Sequence, residues 1–233
     1  MTPMRLGLLQ CGHTAPELAA DHGGYPEMYA RLLGPGFDWS VYPVCDGVFP
    51  EGPRAAQGWL ISGSRAGAYE AHDWIPPLEA LIRDIVAARV PLVGICFGHQ
   101  IIAQALGGRV EKFAGGWAVG RRRYEWDGAQ VHLNAWHQDQ VTRLPEGARV
   151  TASNGFTRYA GFRVGDRVET LQPHPEFSPD IIARMTELRG ATVPPEMRAQ
   201  AVADAALPVD GAAAGARLAA FFRATDDMER AGA

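Results

Sequence analysis

Cys96 stands at the centre of a Gly-Ile-Cys-Phe-Gly sequence at residues 94–98. The apolar residues 92–95 predict a short buried strand before it, and apolar positions at helical spacing over residues 97–106 predict a helix after it. A strand that turns directly into a helix exposes the central side chain and needs small neighbours two positions away. The free N–H groups of the helix start favour a thiolate. Cys96 is therefore a candidate nucleophile, with a buried core thiol as the alternative.

A second group of reactive residues is the Pro-His-Pro-Glu sequence at residues 173–176, after a predicted strand at residues 167–172. A residue before proline favours extended backbone, and residues two apart in an extended chain point to the same side. We therefore expect the Glu176 carboxylate to accept a hydrogen bond from one nitrogen of His174 and to leave the other nitrogen free for a proton. The alternative is a polar turn before a helix capped by Ser178.

Two further segments could contribute polar groups. Residues 63–69 form a small-residue loop after a predicted strand, where backbone N–H groups of a parallel sheet can approach a bound oxyanion. An ordinary glycine turn is the alternative. His137 lies in a polar, aromatic stretch and is interpreted as a structural hydrogen-bonding residue rather than a catalytic one. Residues 121–123 are three consecutive arginines, which we interpret as part of a solvated edge strand rather than a phosphate site.

The elements that position these residues alternate between strand and helix up to residue 106, and short β-like segments with turn signals follow. This pattern predicts an α/β fold: a doubly wound, mostly parallel sheet with an appended small antiparallel sheet and C-terminal helices. The predicted strands are residues 5–10, 37–44, 58–62, 92–95, 109–113, 120–126, 129–133, 148–152, 159–164 and 167–172. The predicted helices are residues 24–33, 76–89, 97–106, 181–188, 195–206 and 212–225.

The composition excludes several classes of protein. The chain has 233 residues, 47% of them hydrophobic and 21% charged, and a net charge of −4 argues against nucleic-acid binding. No apolar run has membrane-spanning length, and the N-terminal residues lack a signal-peptide core. The cysteines Cys11, Cys45 and Cys96 are odd in number and far apart, so we expect no disulfide framework and a cytoplasmic location. With no P-loop in the sequence, we expect no cofactor and no metal.

The sequence resembles the class I glutamine amidotransferases, a family with a Cys-His-Glu triad. Residues 94–100 are similar to that family's nucleophile motif, and residues 174–176 to its His/Glu motif. Residues 61–64 resemble its oxyanion loop, and residues 136–139 the segment that lines its glutamine pocket. The similarity spans residues 5 to about 190 in the family's order. It implies a flavodoxin-like amidotransferase domain at 1–190, with a C-terminal helical extension at 191–233 packed on the same domain.

The resemblance also implies a role for each matching residue. Cys96 would attack the side-chain amide of glutamine and form a γ-glutamyl thioester, and ammonia would leave. The implied residues are Cys96, His174 and Glu176 for catalysis, Ser64 and Phe97 for the oxyanion hole, and Gly63, Gln100, Gln138 and Asp139 for substrate binding. Ser64 and Arg65 depart from the Gly and Pro of many members. A serine fits there only if the backbone does not need a positive φ.

Several functions are compatible with this triad. The first is a glutaminase that delivers ammonia to a separate synthase subunit. The second is a hydrolase of γ-glutamyl peptides or conjugates, which needs no partner. A non-catalytic regulatory module of the same fold and a cysteine peptidase of related fold are further alternatives. The sequence leaves open whether the chain forms a homo-oligomer.

Overall fold

The computed structural model describes residues 2–232, without the side chains of residues 225–232. The strands are β1 (Met4–Leu9), β2 (Phe37–Tyr42), β3 (Gly58–Ile61), β4 (Leu92–Ile95), β5 (Arg109–Lys112), β6 (Ala118–Trp126), β7 (Ala129–His137), β8 (Asp139–Arg143), β9 (Ala148–Ser153), β10 (Gly161–Val164) and β11 (Val168–Leu171). The helices are α1 (Pro16–His22), α2 (Tyr25–Leu33), α3 (Ile75–Ala87), α4 (Phe97–Ala105), α5 (Pro179–Arg189), α6 (Pro195–Ala203) and α7 (Gly211–Gly232).

Within the described residues, nine strands form one sheet in the order β2-β1-β3-β4-β11-β10-β9-β6-β7. The strands from β2 to β11 in this order are parallel, and the strands that follow pair antiparallel. Strands β5 and β8 form a separate antiparallel ribbon. The predicted fold class is confirmed, and its antiparallel strands lie in two places: four extend the main sheet and two pair apart from it.

The parallel part of the sheet is buried on both faces, which explains its continuous apolar runs. In β4, the side chain of Leu92 packs into a core with α3 and α4, whereas Val93 and Ile95 pack into a second core with α2 and α7. Consecutive residues of one strand thus enter opposite cores. The carboxyl end of β4, where the chain reaches Cys96, is consequently fixed between two packed layers.

The C-terminal helices pack closely on this body. Leu218 and Phe222 of α7 are fully buried, and a Cβ at Gly215 would lie 2.1 Å from the carbonyl oxygen of Leu32 in α2. The division into a domain at 1–190 and an extension at 191–233 stays a prediction. Among the helices the structure describes, none is both long and apolar enough to cross a bilayer.

Two local expectations differ from the structure. Helix α1 was not predicted. The structure extends β7 to His137 and adds β8 from Asp139, where a run of polar residues hides the strand pattern in the sequence. Residues 121–123, predicted to lie in a solvated edge strand, pair with β7 on one side, and the described pairing of β6 with β9 is confined to Glu125 and Trp126. Arg121 instead donates through Nε to the carbonyl oxygen of Pro208, at 2.8 Å.

Gly98 allows the start of α4 to approach β3, and its replacement tests that close contact. A Cβ at Gly98 would lie 2.3 Å from the backbone oxygen of Ile61. We expect Gly98→Ala to lower the free energy of unfolding in urea by about 1–3 kcal/mol. Gly52→Ala is the control, because its Cβ would meet nothing within 4 Å, and it should change stability by less than about 0.5 kcal/mol. Equal stability of both variants would contradict the close contact.

Candidate active site

Cys96 occupies a tight turn between β4 and α4. Its backbone angles are φ 54° and ψ −101°, a conformation that non-glycine residues rarely adopt. The N–H of Cys96 donates to the carbonyl oxygen of Leu171 in β11, at 2.8 Å, and α4 begins at Phe97. A Cβ at Gly94 would lie 2.5 Å from the backbone oxygen of Gly98, so the turn requires the small residues that the sequence places there. The predicted strand–turn–helix arrangement around Cys96 is present.

His174 and Glu176 form a buried pair beside this turn. The Nδ1 atom of His174 lies 2.7 Å from Oε1 of Glu176, and the two side chains are 4% and 0% exposed. This contact engages Nδ1 of His174 and leaves Nε2, and Cys96 lines the same cavity as His174 and acts on the imidazole to raise its pKa. The structure therefore brings the sulfur, the imidazole and the carboxylate together beside one cavity.

The backbone reaches this arrangement by a turn rather than by the extended chain expected from the sequence. His174 is extended and its N–H donates to the carbonyl oxygen of Asn134 at 2.8 Å, but the N–H of Phe177 then donates back to the carbonyl oxygen of His174 at 3.3 Å. The turn at Pro175 and Glu176 brings the carboxylate back to Nδ1. Ser178 caps α5 as predicted, accepting from the N–H of Ile181 at 3.3 Å.

One residue far away in sequence and one neighbouring ring hold this turn in place. The side-chain amide of Asn134 in β7 donates to the carbonyl oxygen of Phe177 at 2.8 Å. The Phe177 ring stacks on the His174 imidazole, with centroids 4.0 Å apart and planes at 2°. The sequence reasoning named neither residue as part of the site. Together they fix the imidazole in position and orientation.

Tyr29 is a further site residue that the sequence did not reveal. Its hydroxyl donates to Oε1 of Glu176 at 3.0 Å and accepts from the N–H of Gly63 at 3.4 Å. Burial, followed by the charge of Glu176, raises the pKa of Tyr29. In the sequence Tyr29 is one apolar position on a predicted helix, so nothing local distinguishes it from a core residue.

The electrostatics favour opposite charge states for the two buried histidines of the site. Burial alone would lower the pKa of His174, but Cys96 and Glu176 outweigh it and raise the pKa to about 10. Burial and then the charge of His174 lower the pKa of His137 to about 3. His174 is therefore an imidazolium at neutral pH and His137 a neutral imidazole.

A cavity of about 310 Å³ opens beside Cys96 and His174. This volume is at the low end of pockets that enclose small-molecule ligands, roughly 300–1,000 Å³. Of the predicted site residues, those that line it are Cys96, His174, Ser64, Gln100, Gln138 and Asp139. Glu176 lies behind His174, and Gly63 and Phe97 contribute backbone rather than cavity surface. The residues predicted from separate motifs are thus brought together around one space.

The predicted oxyanion donors lie at the loop after β3 and at the start of α4. Phe97 is the first residue of α4, so its N–H has no acceptor within the helix. Ser64 lines the cavity, and its hydroxyl accepts from the N–H of Ala66 at 3.1 Å. Among the described residues, the non-glycine residues with positive φ are Arg89, Cys96 and Asp127. Ser64 is not one of them, so a serine in place of glycine costs no backbone strain there.

Gln100 organises the opposite part of the cavity. Its amide donates to the carbonyl oxygen of Asp139 at 3.0 Å and to the side chain of Gln172 at 3.1 Å. The carboxylate of Asp139 accepts from the Tyr69 hydroxyl at 3.1 Å. Burial raises the pKa of Asp139. Gln100 thereby ties β8 to α4 and presents Asp139 to the cavity.

His137 has contacts that fit a structural role. Its Nδ1 lies 3.2 Å from the carbonyl oxygen of Asp139, and its ring is 4% exposed at the cavity wall. Cys96 is not among the partners that His137 has in the described part of the chain.

A cluster with metal-binding chemistry lies outside the cavity lining. His13, Cys45 and Asp46 offer ligand atoms that all lie within 4.8 Å of one another. Nε2 of His13 is 2.8 Å from Oδ2 of Asp46. The sequence reasoning missed this cluster because His13 is far from the other two residues along the chain.

The sequence of this chain is similar to those of known proteins. The family model "Glutamine amidotransferase class-I" matches residues 54–185. The chain belongs to the class I glutamine amidotransferase family. Gamma-glutamyl peptidase 4 of Arabidopsis thaliana is 34% identical to it over 178 residues, which cover 69% of this chain and 71% of the relative. A glutamine-hydrolysing GMP synthase subunit of Methanopyrus kandleri is 29% identical over 188 residues, which cover 70% of this chain and 94% of that protein.

Solved structures show the same fold. A glutamine amido transferase from Methylobacillus flagellatus superposes with a TM-score of 0.70 at 21% identity, over 97% of this chain and 94% of that one. A glutamine amidotransferase from Thermotoga maritima superposes with a TM-score of 0.72 at 19% identity, over 95% of this chain and 99% of that one. The predicted amidotransferase fold is confirmed.

The Tyr29 hydroxyl can be tested as a positioning group in this amidotransferase. Tyr29→Phe removes the hydrogen bond to Glu176 and keeps the ring in the core. We expect a loss of about 1 kcal/mol in the free energy of unfolding and a lower kcat with little change in KM, because the carboxylate no longer holds His174 in one orientation. Tyr42→Phe is the control, since Tyr42 packs on Trp59 away from the site. An unchanged kcat in Tyr29→Phe would contradict this role.

The charge states of the histidines can be measured by ¹⁵N NMR. We expect His174 to be protonated at about pH 8 and His137 to be neutral at about pH 5.5, where an unperturbed histidine has a pKa of about 6.5. Cys96→Ala should lower the pKa of His174 by removing the sulfur. Because the unfolded chain protonates His137 near pH 6.5, the stability contribution of its neutral form is lost as the pH falls from about 6.5 towards 3. A neutral His174 at about pH 8 would contradict the ion pair.

Proposed function

We propose that this protein hydrolyses the γ-amide bond of a γ-glutamyl compound through a thioester on Cys96. The observation that carries the proposal is the hydrogen-bonded His174–Glu176 pair on the same ligand-sized cavity as Cys96. Glutamine hydrolysis to ammonia and hydrolysis of a γ-glutamyl peptide or conjugate are the two forms of this reaction. A regulatory module without catalysis would not need this buried and specifically hydrogen-bonded pair.

The first half of the reaction makes the thioester. His174 is an imidazolium when the substrate binds, so its Nε2 already holds the proton that it shares with Cys96, and the sulfur attacks the γ-carbonyl carbon of the substrate. In this proposal the N–H groups of Ser64 and Phe97 stabilise the negative oxygen that forms. The C–N bond then breaks while Nε2 of His174 returns its proton to the leaving nitrogen, so ammonia or an amine departs.

The second half restores the enzyme. Water attacks the thioester carbon and gives a proton to Nε2 of His174, and the C–S bond breaks to release glutamate and to restore the sulfur beside the protonated imidazole. Glu176 keeps Nδ1 of His174 protonated in both halves, so that Nε2 is the nitrogen that exchanges the proton. Tyr29 holds the carboxylate that does this.

The amino-acid end of the substrate would bind at Gln100, Gln138 and Asp139. The family resemblance implies substrate binding for these residues, and all three line the cavity. The Asp139 carboxylate suits the α-ammonium group. Gly63 would assist by keeping the loop after β3 close to the imidazole, since a Cβ there would lie 3.1 Å from Cε1 of His174.

A γ-glutamyl peptide is the substrate form favoured by the relative that shares 34% identity, a protein whose name states that activity. Glutamine is favoured by the similarity to a glutamine-hydrolysing part of GMP synthase, and in that case a separate synthase would take the ammonia. The cysteines Cys11, Cys45 and Cys96 are free, which suits a reducing compartment such as the cytoplasm.

Covalent labelling combined with turnover tests the proposal. A glutamine-derived electrophile should modify Cys96 alone, and Cys96→Ala should abolish both labelling and release of ammonia or amine. His174→Ala should reduce turnover by about 10³-fold or more, the effect of losing a triad member, with a circular dichroism spectrum like that of the wild type.

His137→Ala serves as the matched histidine control, and it should reduce turnover far less than His174→Ala. Release of ammonia from glutamine and of amine from γ-glutamyl peptides is measured side by side. Modification of Cys11 or Cys45 in place of Cys96 would overturn the assignment of the nucleophile.

A further inference from the structure

The charged residues that line the cavity fall into two groups, one of which also includes a tyrosine. The first group, which we call the amino-acid pocket, comprises Tyr69, Glu70, Lys112 and Asp139. Asp139 connects them, because it accepts from Tyr69 and its pKa responds to the charges of Lys112 and Glu70. This group carries both signs of charge, as the zwitterionic end of a γ-glutamyl compound requires.

The second group is the arginine pair, Arg65 and Arg189. Arg65 is exposed and directly follows Ser64, and Arg189 is half-buried in the last turn of α5. Both line the cavity. In the described part of the chain, neither guanidinium makes a hydrogen bond or an ion pair. Glu17 acts on Arg189 through space without pairing with it.

The two guanidiniums also influence one another. Burial lowers the pKa of Arg189, and the charge of Arg65 lowers it further. Like charges that face one cavity without a counter-ion repel each other, and an anion placed between them removes this repulsion. Arginine binds carboxylates through two parallel hydrogen bonds, so a carboxylate fits both the charge and the donor geometry.

The surroundings of the arginine pair suit an organic group rather than a free ion. Tyr25, Trp117 and Trp136 line the same cavity, and the rings of the two tryptophans lie 6.4 Å apart at 65°. Tyr25 also interacts electrostatically with both Arg189 and Cys96. A substrate that reaches from the sulfur to the arginine pair would therefore pass apolar surface on the way.

The amino-acid pocket already offers a cation for the α-carboxylate of the substrate. Lys112 is the only lysine of the chain, and it lies within electrostatic range of Asp139. Asp139 and Lys112 can together pair with the α-ammonium and α-carboxylate groups. The arginine pair is then available for a carboxylate on the other side of the scissile bond.

We propose that Arg65 and Arg189 form an anion subsite that binds a carboxylate on the amine portion of the substrate. This inference rests on the proposed hydrolysis at Cys96 and specifies its substrate class: γ-glutamyl peptides with a free C-terminal carboxylate, in preference to glutamine. The amine that leaves Cys96 is then itself an amino acid or a peptide.

The test compares peptides that differ only in this charge. γ-Glutamylglycine and γ-glutamylalanylglycine are each supplied as the free acid and as the C-terminal amide, with glutamine as the smallest substrate. We expect kcat/KM to be about 10-fold or more higher for at least one acid than for its amide, the effect of a charged hydrogen bond. The difference should lie mainly in KM. Arg65→Gln and Arg189→Gln should each bring the acid-to-amide ratio towards one.

Arg184→Gln is the matched control, because Arg184 lies in the same helix and pairs with Glu187 outside the cavity lining. It should keep the wild-type ratio. Equal kcat/KM for acids and amides in the wild type would overturn the subsite alone. An equal loss on acids, amides and glutamine in the arginine variants would also overturn it, because the pair would then bind the α-carboxylate. No labelling of Cys96 and no hydrolysis of any compound would overturn the proposed function together with the subsite.

Discussion

The backbone of Cys96 is the constraint on which the rest of the site depends. A non-glycine residue with φ 54° costs roughly 1–3 kcal/mol and persists only where its surroundings enforce it. Here the N–H of Cys96 is bonded to β11, and the glycines at 94 and 98 let β4, α4 and β3 approach within contact of one another. Any wider packing would relax the turn and withdraw the sulfur from the cavity. The two buried cores on either side of β4 therefore stabilise a reactive conformation as well as a sheet.

The partners of the buried groups beside the sulfur determine their charges. A carboxylate without exposed surface is costly unless it is hydrogen-bonded, and Oε1 of Glu176 accepts from both His174 and Tyr29, whereas Oε2 has no hydrogen-bond partner among the described residues. The imidazolium of His174 is stable because Cys96 and Glu176 both raise its pKa. Among the described residues His137 has a backbone carbonyl as its one hydrogen-bond partner, and burial lowers its pKa at a similar depth. The partners of the two histidines, and not their depth of burial, therefore account for the difference between their pKa values.

The parts of this site that the sequence predicts are those that local rules determine. The turn at Cys96 follows from glycine spacing, and the identity of the His174–Glu176 pair follows from two residue types beside prolines. The geometry of that pair did not follow, because a turn at Pro175 replaces the extended chain. Tyr29 and Asn134 were also missed: the Tyr29–Glu176 contact spans 147 positions, and nothing in the residues around Tyr29 signals it. Strand β8 was missed because four of its five residues are polar, so the sequence shows no alternation of apolar and polar positions there.

The relatives of this chain include proteins named for γ-glutamyl peptidase activity and for glutamine hydrolysis, so membership of the family does not determine the substrate. Selectivity must come from contacts remote from the reacting carbon that are made in the transition state. In this chain those contacts lie at the rim, where Arg65 and Lys112 are exposed and each faces the cavity. A cavity closed over the γ-amide would accept glutamine alone. A cavity that extends from Cys96 to cations at its rim, which have no ion-pair partner among the described residues, has both the room and the charge for a larger amine.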